Sequence, residues 1–355
     1  MKTTIDGKAL VYCDGAFNTP NGKTAHGLVR FTERYDVVGV LDSKYASQDA
    51  GLVLDGKENG IPIFGNMQEA LLMLGAENKP ASLVIGLAPD GGRLPTEAKL
   101  AIKKALELGM NVDSGLHDFL FKDEALMAIA NANSCRVRDV RRTPDRDQLH
   151  FFSGKIEKVD CLKVALLGTD SAIGKRTTSW ILVHAFRNAG LKAEMVGTGQ
   201  TAWMQGAKYS MIMDSCINDF VSGEIEHAVF EAWKNESPDL IVIEGQGSLM
   251  NPAYPGGFEI LAAGRPDYVI LQHAPKRMEY DGFPGYILHP IKEQINAIET
   301  ISGKKVIAIT VNHEDMTREE ILPACRKITD ETGLPAIDVL EYGAHELVRL
   351  LKSYI

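Results

Sequence analysis

One stretch decides the fold: Val164-Ala165-Leu166-Leu167-Gly168-Thr169-Asp170-Ser171-Ala172-Ile173-Gly174-Lys175-Arg176-Thr177-Thr178. An apolar run leads into a loop bounded by two glycines, and the loop leads into a segment with a lysine and two threonines. This order predicts a strand, a phosphate-binding loop and a helix, because such a loop points successive backbone N–H groups into one concavity beside the positive end of the helix dipole. We expect a nucleotide or another phosphorylated cofactor there. The expected cofactor contacts are Gly168, Thr169, Asp170, Ser171, Gly174, Lys175, Arg176, Thr177 and Thr178.

The loop departs from the common pattern G-x-x-x-x-G-K-[ST] at two positions. Its leading glycine is one position further out, and Arg176 stands where a serine or threonine usually follows the lysine. The longer spacing is similar to the GTD-x-x-x-GK loop of dethiobiotin synthetase and its relatives. With Arg176 at this position, the hydroxyl that binds Mg²⁺ would have to come from Thr177 or Thr178. Alternatively, no metal is used and the arginine contacts the anion.

The composition indicates a globular chain that binds small molecules. A length of 355 residues suits two domains, and a net charge of −9 disfavours nucleic acid as the main partner. No apolar run reaches the roughly 18 residues that span a bilayer, and residues 1–6 lack a signal-peptide core. The five scattered cysteines favour reduced thiols. We therefore expect a cytoplasmic protein with no membrane partner, of a size that suits a homo-oligomer.

Alternating strand and helix patterns predict two α/β domains. In residues 1–150, apolar strands and amphipathic helices alternate as in a Rossmann-like parallel sheet domain. Residues 151–355 read as a P-loop NTPase-like α/β domain. The predicted strands are Ala9–Tyr12, Val37–Leu41, Ile61–Phe64, Ser82–Gly86, Ala193–Val196, Leu240–Ile243, Tyr268–Leu271 and Val306–Val311, and the clearest predicted helices are Met67–Leu74, Glu97–Leu108, Thr177–Asn188 and Glu224–Lys234.

The first domain lacks the fingerprint of a dinucleotide site. Asp42 follows the second strand, where such folds hold a ribose, but residues 13–23 contain no G-x-G-x-x-G and include Pro20. We expect the domain to serve oligomerisation or substrate contacts instead. The arginine-rich run 136–146 is interpreted as a solvated linker or surface strand.

Further candidates should converge on the loop, because ligands of open α/β sheets sit at the carboxyl ends of strands. Glu244 ends a buried strand, where an acid commonly orients Mg²⁺ but can also cap a helix. Asp214 and Asp219 could take a cation or an ammonium group. His273 is a candidate general base or a structural histidine, and Asn312 could lie beside a base. Donors for an acidic substrate are expected from Gly199, Gln200, Thr201, Gln246 and Gly247.

With these motifs collected, the chain resembles a two-domain family that joins a Rossmann-like domain to a P-loop domain like that of dethiobiotin synthetase. The resemblance rests on the loop itself, on Gly199-Gln200-Thr201, on Asp214 with Asp219-Phe220, and on residues 243–249 with Pro252-Ala253-Tyr254. One branch of this family is D-glutamate N-acetyltransferase. The resemblance therefore implies transfer of an acetyl group from acetyl-CoA to D-glutamate or a similar amino acid.

The residues leave three activities open. In an acetyltransferase, Lys175 and Arg176 would hold the phosphates of coenzyme A, and Glu244, His273 or Asp214 would deprotonate the acceptor. In an ATP- and Mg²⁺-dependent ligase or kinase acting on a small carboxylate, Thr177 and Glu244 would lie at the metal. A nucleotide-binding protein without turnover is the third alternative.

Overall fold

The computed structural model describes residues 5–355, apart from the side chain of Asp90. The first four residues, which belong to the segment that we interpret as lacking a signal peptide, lie outside the described range. The described residues form two compact units, one running up to Thr143 and including Gln200–Gly206, the other comprising Pro144–Gly199 and Ala207–Ile355. None of the helices within residues 5–355 combines the length and apolar character that a bilayer crossing needs.

The first unit contains a six-stranded parallel sheet in the order β3-β2-β1-β4-β5-β6. This is the strand order of a Rossmann fold, in which the order reverses between β1 and β4. Its strands are β1 (Lys8–Tyr12), β2 (Asp36–Leu41), β3 (Ile63–Phe64), β4 (Ser82–Ile85), β5 (Asn111–Ser114) and β6 (Val137–Asp139), and its helices include α1 (Lys23–Arg30), α2 (Ala50–Asp55), α3 (Met67–Leu74), α4 (Thr96–Glu107) and α5 (Glu124–Ala132).

The second unit contains a seven-stranded parallel sheet in the order β13-β12-β11-β7-β10-β8-β9. Its strands are β7 (Leu162–Gly168), β8 (Ala193–Gly197), β9 (Tyr209–Ser210), β10 (Leu240–Glu244), β11 (Tyr268–His273), β12 (Lys305–Val311) and β13 (Ala336–Ile337). The helices are α6 (Lys175–Asn188), α7 (Gln200–Gln205), α8 (Asn218–Glu236), α9 (Phe258–Ala263), α10 (Ile291–Ser302), α11 (Arg318–Thr332), α12 (Val339–Tyr342) and α13 (His345–Lys352), of which α7 clusters with the first unit.

Both sheets are covered on their two faces, and this explains the uninterrupted apolar strands. Every residue of β7 and of β10 is buried, as expected for central strands of parallel sheets packed between helices. The fold class predicted from the sequence, two α/β domains of Rossmann-like and P-loop type, is confirmed.

Several predicted boundaries differ from the structure for local reasons. The third strand begins at Ile63 instead of Ile61, since Pro62 has no N–H to donate to a ladder. Helix α8 extends beyond the predicted Glu224–Lys234 at both ends, because its apolar and polar residues are not separated into two distinct faces.

Candidate functional site

The loop between β7 and α6 forms a concave backbone surface. Ala172 and Gly174 both adopt left-handed conformations, with φ angles of 52° and 93°, and α6 begins directly after Gly174. The first N–H groups of a helix have no intrahelical acceptor, so those at the start of α6 are available to an anion. A Cβ at Gly168 would lie 2.9 Å from Lys175 Cδ, so glycine is needed for the lysine to fold back over the loop. The backbone is therefore shaped as the sequence predicted for a phosphate site.

Lys175 connects this loop to the loop that follows β10. Its Nζ donates to the backbone oxygen of Asp170 at 2.6 Å and to that of Gly247 at 2.7 Å, and the residue is 7% exposed. The ammonium group is thus already fixed within the loop, where a phosphate would compete with these two carbonyl oxygens for it.

Asp170 shapes the loop through four contacts with protein groups. One carboxylate oxygen accepts from Ser171 N at 2.7 Å and from Asn251 Nδ2 at 2.9 Å. The other accepts from Arg277 Nη1 at 2.9 Å and from Asp281 N at 2.8 Å. Because the side chain is fully buried and both oxygens are engaged, we assign Asp170 to positioning the loop.

Arg277 extends the same network to Glu314, in the loop that follows β12. Its Nη1 also donates to Ser171 O at 2.7 Å, and its Nε and Nη2 each bind Glu314 at 2.7 Å. Burial would lower the pKa of Arg277, but Glu314 and Asp170 raise it, so the guanidinium stays charged. No spacing in the sequence points to Arg277, Asn251 or Glu314 as partners of the loop, because the residues that they contact are distant in the chain.

Some hydroxyl groups near the loop bind other buried side chains, and one remains available to a ligand. Thr178 Oγ1 donates to Gln272 Oε1 at 2.7 Å, and Thr310 Oγ1 donates to the same oxygen at 2.6 Å. Thr178 is therefore committed to the interior. Thr177, in the first turn of α6, is the hydroxyl left for a metal if one is used. Among the described side chains, no group of three or more His, Cys, Asp or Glu is arranged to hold a metal ion.

Glu244 lies at the carboxyl end of β10, beside the loop. Its Oε2 accepts from Thr198 N at 2.8 Å, and the Gly199 N–H also donates to the carboxylate. Burial raises the pKa of Glu244, while Arg176, these two N–H groups and Lys175 act in the opposite direction. The structure therefore places an acid with a raised pKa next to the two cations of the loop.

Gln246 and Gly247 follow Glu244 and line the loop. Gln246 Nε2 donates to Thr198 Oγ1 at 3.0 Å, and Gly199 approaches Gln246 closely, since a Cβ there would lie 3.0 Å from Nε2. Beside Gly168 lies a small cavity lined in part by Gln246, Ser248 and Gln294. Within residues 5–355, the buried Ser248 Oγ has no hydrogen-bond partner. A buried hydroxyl without a partner is costly, so this cavity suits a small polar group.

His273 and Asn312 contact the loop from the other side. His273 Nδ1 lies 3.0 Å from Thr169 Oγ1, and burial lowers the pKa of His273 to about 4. The imidazole is therefore neutral at pH 7 and a weak base. Asn312 Nδ2 donates to Ile173 O at 3.0 Å, so this amide supports the loop backbone.

The remaining candidates are divided between the two units. Asp214 is exposed on a short turn that is tied to the end of β8 by a 3.0 Å bond from Met213 N to Thr198 O, and Asp219 is exposed in the first turn of α8. Gln200 and Thr201 belong to α7 in the first unit.

Asp42 is occupied by protein groups. Its carboxylate accepts from Phe17 N at 2.9 Å and from Lys44 N at 2.8 Å, and the residue is fully buried. Phe17 is fully buried as well, so an aromatic ring fills the loop that holds glycines in dinucleotide-binding folds. Both carboxylate oxygens are thus committed within the unit.

Comparison with known proteins gives consistent matches over both units. Residues 150–348 match the family model described as "Domain of unknown function (DUF1611_C) P-loop domain", and residues 43–143 match "Domain of unknown function (DUF1611_N) Rossmann-like domain". A D-glutamate N-acetyltransferase of Tritonibacter scottomollicae is 32% identical over 77% of this chain and 81% of its own. One from a Pseudoalteromonas species is 29% identical over 82% of this chain and 87% of its own. The crystal structure of a DUF1611 family protein from Anabaena variabilis is 30% identical, covers 98% of this chain and 99% of its own, and superposes with a TM-score of 0.89.

Proposed function

Because the chain belongs to the DUF1611 family, we propose that it is an N-acetyltransferase that moves an acetyl group from acetyl-CoA to the amino group of D-glutamate or a similar amino acid. The observation that carries the proposal is the similarity to two proteins named D-glutamate N-acetyltransferase, which covers 77% and 82% of this chain. The geometry of the loop supports the proposal independently.

The donors around the loop suit the phosphates of coenzyme A, which carries a pyrophosphate and a ribose phosphate. The N–H groups at the start of α6 and the amine of Lys175 bind anions without needing a metal. Arg176 stands where a Mg²⁺-binding hydroxyl would be expected, and guanidinium groups bind phosphate oxygens well. When bound, acetyl-CoA supplies an acetyl group activated as a thioester.

Acetylation of an amine requires the acceptor to lose a proton, since an ammonium group has no lone pair. We assign this proton to Glu244, because burial raises the pKa of its carboxyl and makes it a stronger base than an exposed carboxylate. His273, whose pKa burial lowers to about 4, is the weaker base. We assign the stabilisation of the developing oxyanion to the hydroxyl of Ser248, which is buried beside Gly247.

Mass spectrometry of the reaction products tests this proposal. The purified protein is incubated with isotope-labelled acetyl-CoA and either D-glutamate or L-glutamate, without ATP, and labelled N-acetylglutamate and free CoA are quantified. We expect equal amounts of the two products, formed preferentially from the D-enantiomer.

Two variants test the role of Glu244, and one parallel reaction distinguishes acetyl transfer from ATP-dependent chemistry. Glu244→Gln should lower kcat by at least about a hundredfold if the carboxylate is the base. Glu293→Gln, which changes an exposed glutamate on α10, should leave the rate unchanged. Formation of ADP from Mg·ATP with a carboxylate substrate, and no acetyl transfer, would instead assign the protein to ATP-dependent ligases or kinases.

A further inference from the structure

We propose that residues 150–158, near the start of the second unit, form a latch on helix α8 that is closed at neutral pH and opens when the pair His150 and His227 takes up a second proton. These residues are called the latch segment below. The latch is independent of the proposed acetyl transfer, because it rests on contacts between this segment and α8 alone, both of which belong to the second unit.

The latch segment lies directly on α8. A Cβ at Gly223 would lie 2.6 Å from the backbone carbonyl carbon of Phe151, so a glycine is needed for the chain to approach the helix this closely. One turn further along, the fully buried Glu226 accepts from Ser153 N at 2.8 Å and from Ile156 N at 3.2 Å. Backbone N–H groups of the segment are therefore held by a carboxylate of the helix.

Two histidines join the latch segment to the same face of α8. The rings of His150 and His227 stack with their centroids 3.5 Å apart and their planes inclined by 9°. His150 Nδ1 lies 2.9 Å from Glu224 Oε1, and His227 Nδ1 lies 2.9 Å from Lys155 Nζ. An ammonium group donates hydrogen bonds and accepts none, so His227 Nδ1 is the acceptor. The closed latch thus requires a neutral ring at His227.

A proton on each of the two rings is opposed by the charges around them. An imidazolium at His227 offers no lone pair to Lys155 and would lie against two cations, the ammonium group and a protonated His150. Burial, Lys155 and His150 lower the pKa of His227 below its ordinary value of 6.5, although Glu224 and Glu231 act in the opposite direction. The first proton goes to His150, because its Nδ1 faces the Glu224 carboxylate. The closed latch therefore holds one proton on this pair.

Opening the latch makes room for the second proton. A solvated imidazole binds a proton with a pKa of about 6.5, so below this pH the open form holds one proton more than the closed form. The closed form is therefore fully stabilised above pH 6.5 and loses this stabilisation as the pH falls below it. Between pH 7.5 and pH 5.5, the ratio of open to closed forms should rise about tenfold.

Hydrogen exchange of the full-length chain, followed by mass spectrometry, measures this ratio once the intrinsic pH dependence of exchange is removed. The backbone N–H groups of His150, Ser153 and Ile156 report the opening, because their acceptors are side chains of α8. We expect their protection in the wild type to fall about tenfold from pH 7.5 to pH 5.5. Equal protection at the two pH values would overturn the proposal.

Two variants separate the histidine pair from other titrating groups. His227→Gln keeps an acceptor oxygen for Lys155 but takes up no proton, so its protection should be equal at pH 7.5 and pH 5.5. His345→Gln, the matched control, changes an exposed histidine of α13 and should show the same tenfold fall as the wild type. A tenfold fall in His227→Gln would show that another group drives the opening and would overturn the proposal.

An NMR titration of the histidine rings tests the same point in the wild type, without relying on the folding of a variant. The His227 ring should take up its proton below pH 6.5, because the Lys155 ammonium group lies against it. Protonation of His227 at or above pH 6.5 would contradict the latch.

Discussion

Replacing Asp170 by asparagine tests whether the phosphate loop is held in shape by its own buried carboxylate. Each of the two oxygens accepts two hydrogen bonds, one pair from Ser171 and Asn251 and the other from Arg277 and Asp281. An asparagine has a single acceptor oxygen, so either orientation of its amide leaves one pair of donors facing an NH₂ group. At about 1–3 kcal/mol for each unsatisfied buried group, the loss in free energy of unfolding is about 2–6 kcal/mol.

Loss of one partner from a buried ion pair gives a similar figure of about 3–5 kcal/mol, and we therefore expect Asp170→Asn to cost about 4 kcal/mol. Urea unfolding followed by circular dichroism measures this value. Asp330→Asn, which changes an exposed residue of α11, is the matched control and should stay within about 0.5 kcal/mol of the wild type. A cost below about 1 kcal/mol for Asp170→Asn would refute the view that this carboxylate fixes the loop.

Two further variants test the charges around the loop. Arg176→Thr restores the common loop pattern, so we expect acetyl-CoA binding to weaken by about tenfold and Mg·ATP binding to improve in calorimetric titrations; unchanged values would remove Arg176 from the cofactor site. His273 has a pKa that burial lowers from 6.5 to about 4, so the unfolded chain takes up its proton at higher pH than the folded chain. Its stabilising effect is complete above pH 6.5 and is lost as the pH falls towards 4, with a slope of about 1.4 kcal/mol per pH unit. Urea unfolding of His273→Asn should therefore show a shallower loss of stability than the wild type over this range, and an equal slope would contradict the burial argument.

The sequence predicted the backbone features that depend on neighbours in the chain. Residues 164–178 specify a strand, a turn and a helix locally, and the loop has the predicted form. Glu244 lies at the end of the apolar strand β10, where the sequence pattern predicted it, and parallel strands end at a common edge. Such features can be predicted from the period of the hydrophobic pattern and the positions of a few glycines.

The hydrogen bonds that Asp170 accepts from distant residues could not be predicted in this way. Arg277 is 107 residues from Asp170 in the chain and Asn251 is 81 residues away, and no spacing rule connects them. The grouping of α7 with the first unit could not be predicted from the sequence either. It depends on tertiary contacts such as that between Thr201 and Thr24. Strand β6 was hidden in the arginine-rich run of the sequence, and its Arg138 pairs with the buried Asp113 instead of facing solvent.

The proposed acetyl transfer requires that the phosphate loop holds coenzyme A. Calorimetric titration of acetyl-CoA into the wild type, Lys175→Ala and the exposed control Lys192→Ala tests this claim most directly. We predict that the wild type and Lys192→Ala bind acetyl-CoA without Mg²⁺, and that Lys175→Ala binds it at least about tenfold more weakly, because the loop loses its fixed cation. Equal affinity in all three proteins, or binding of Mg·ATP in place of acetyl-CoA, would contradict it.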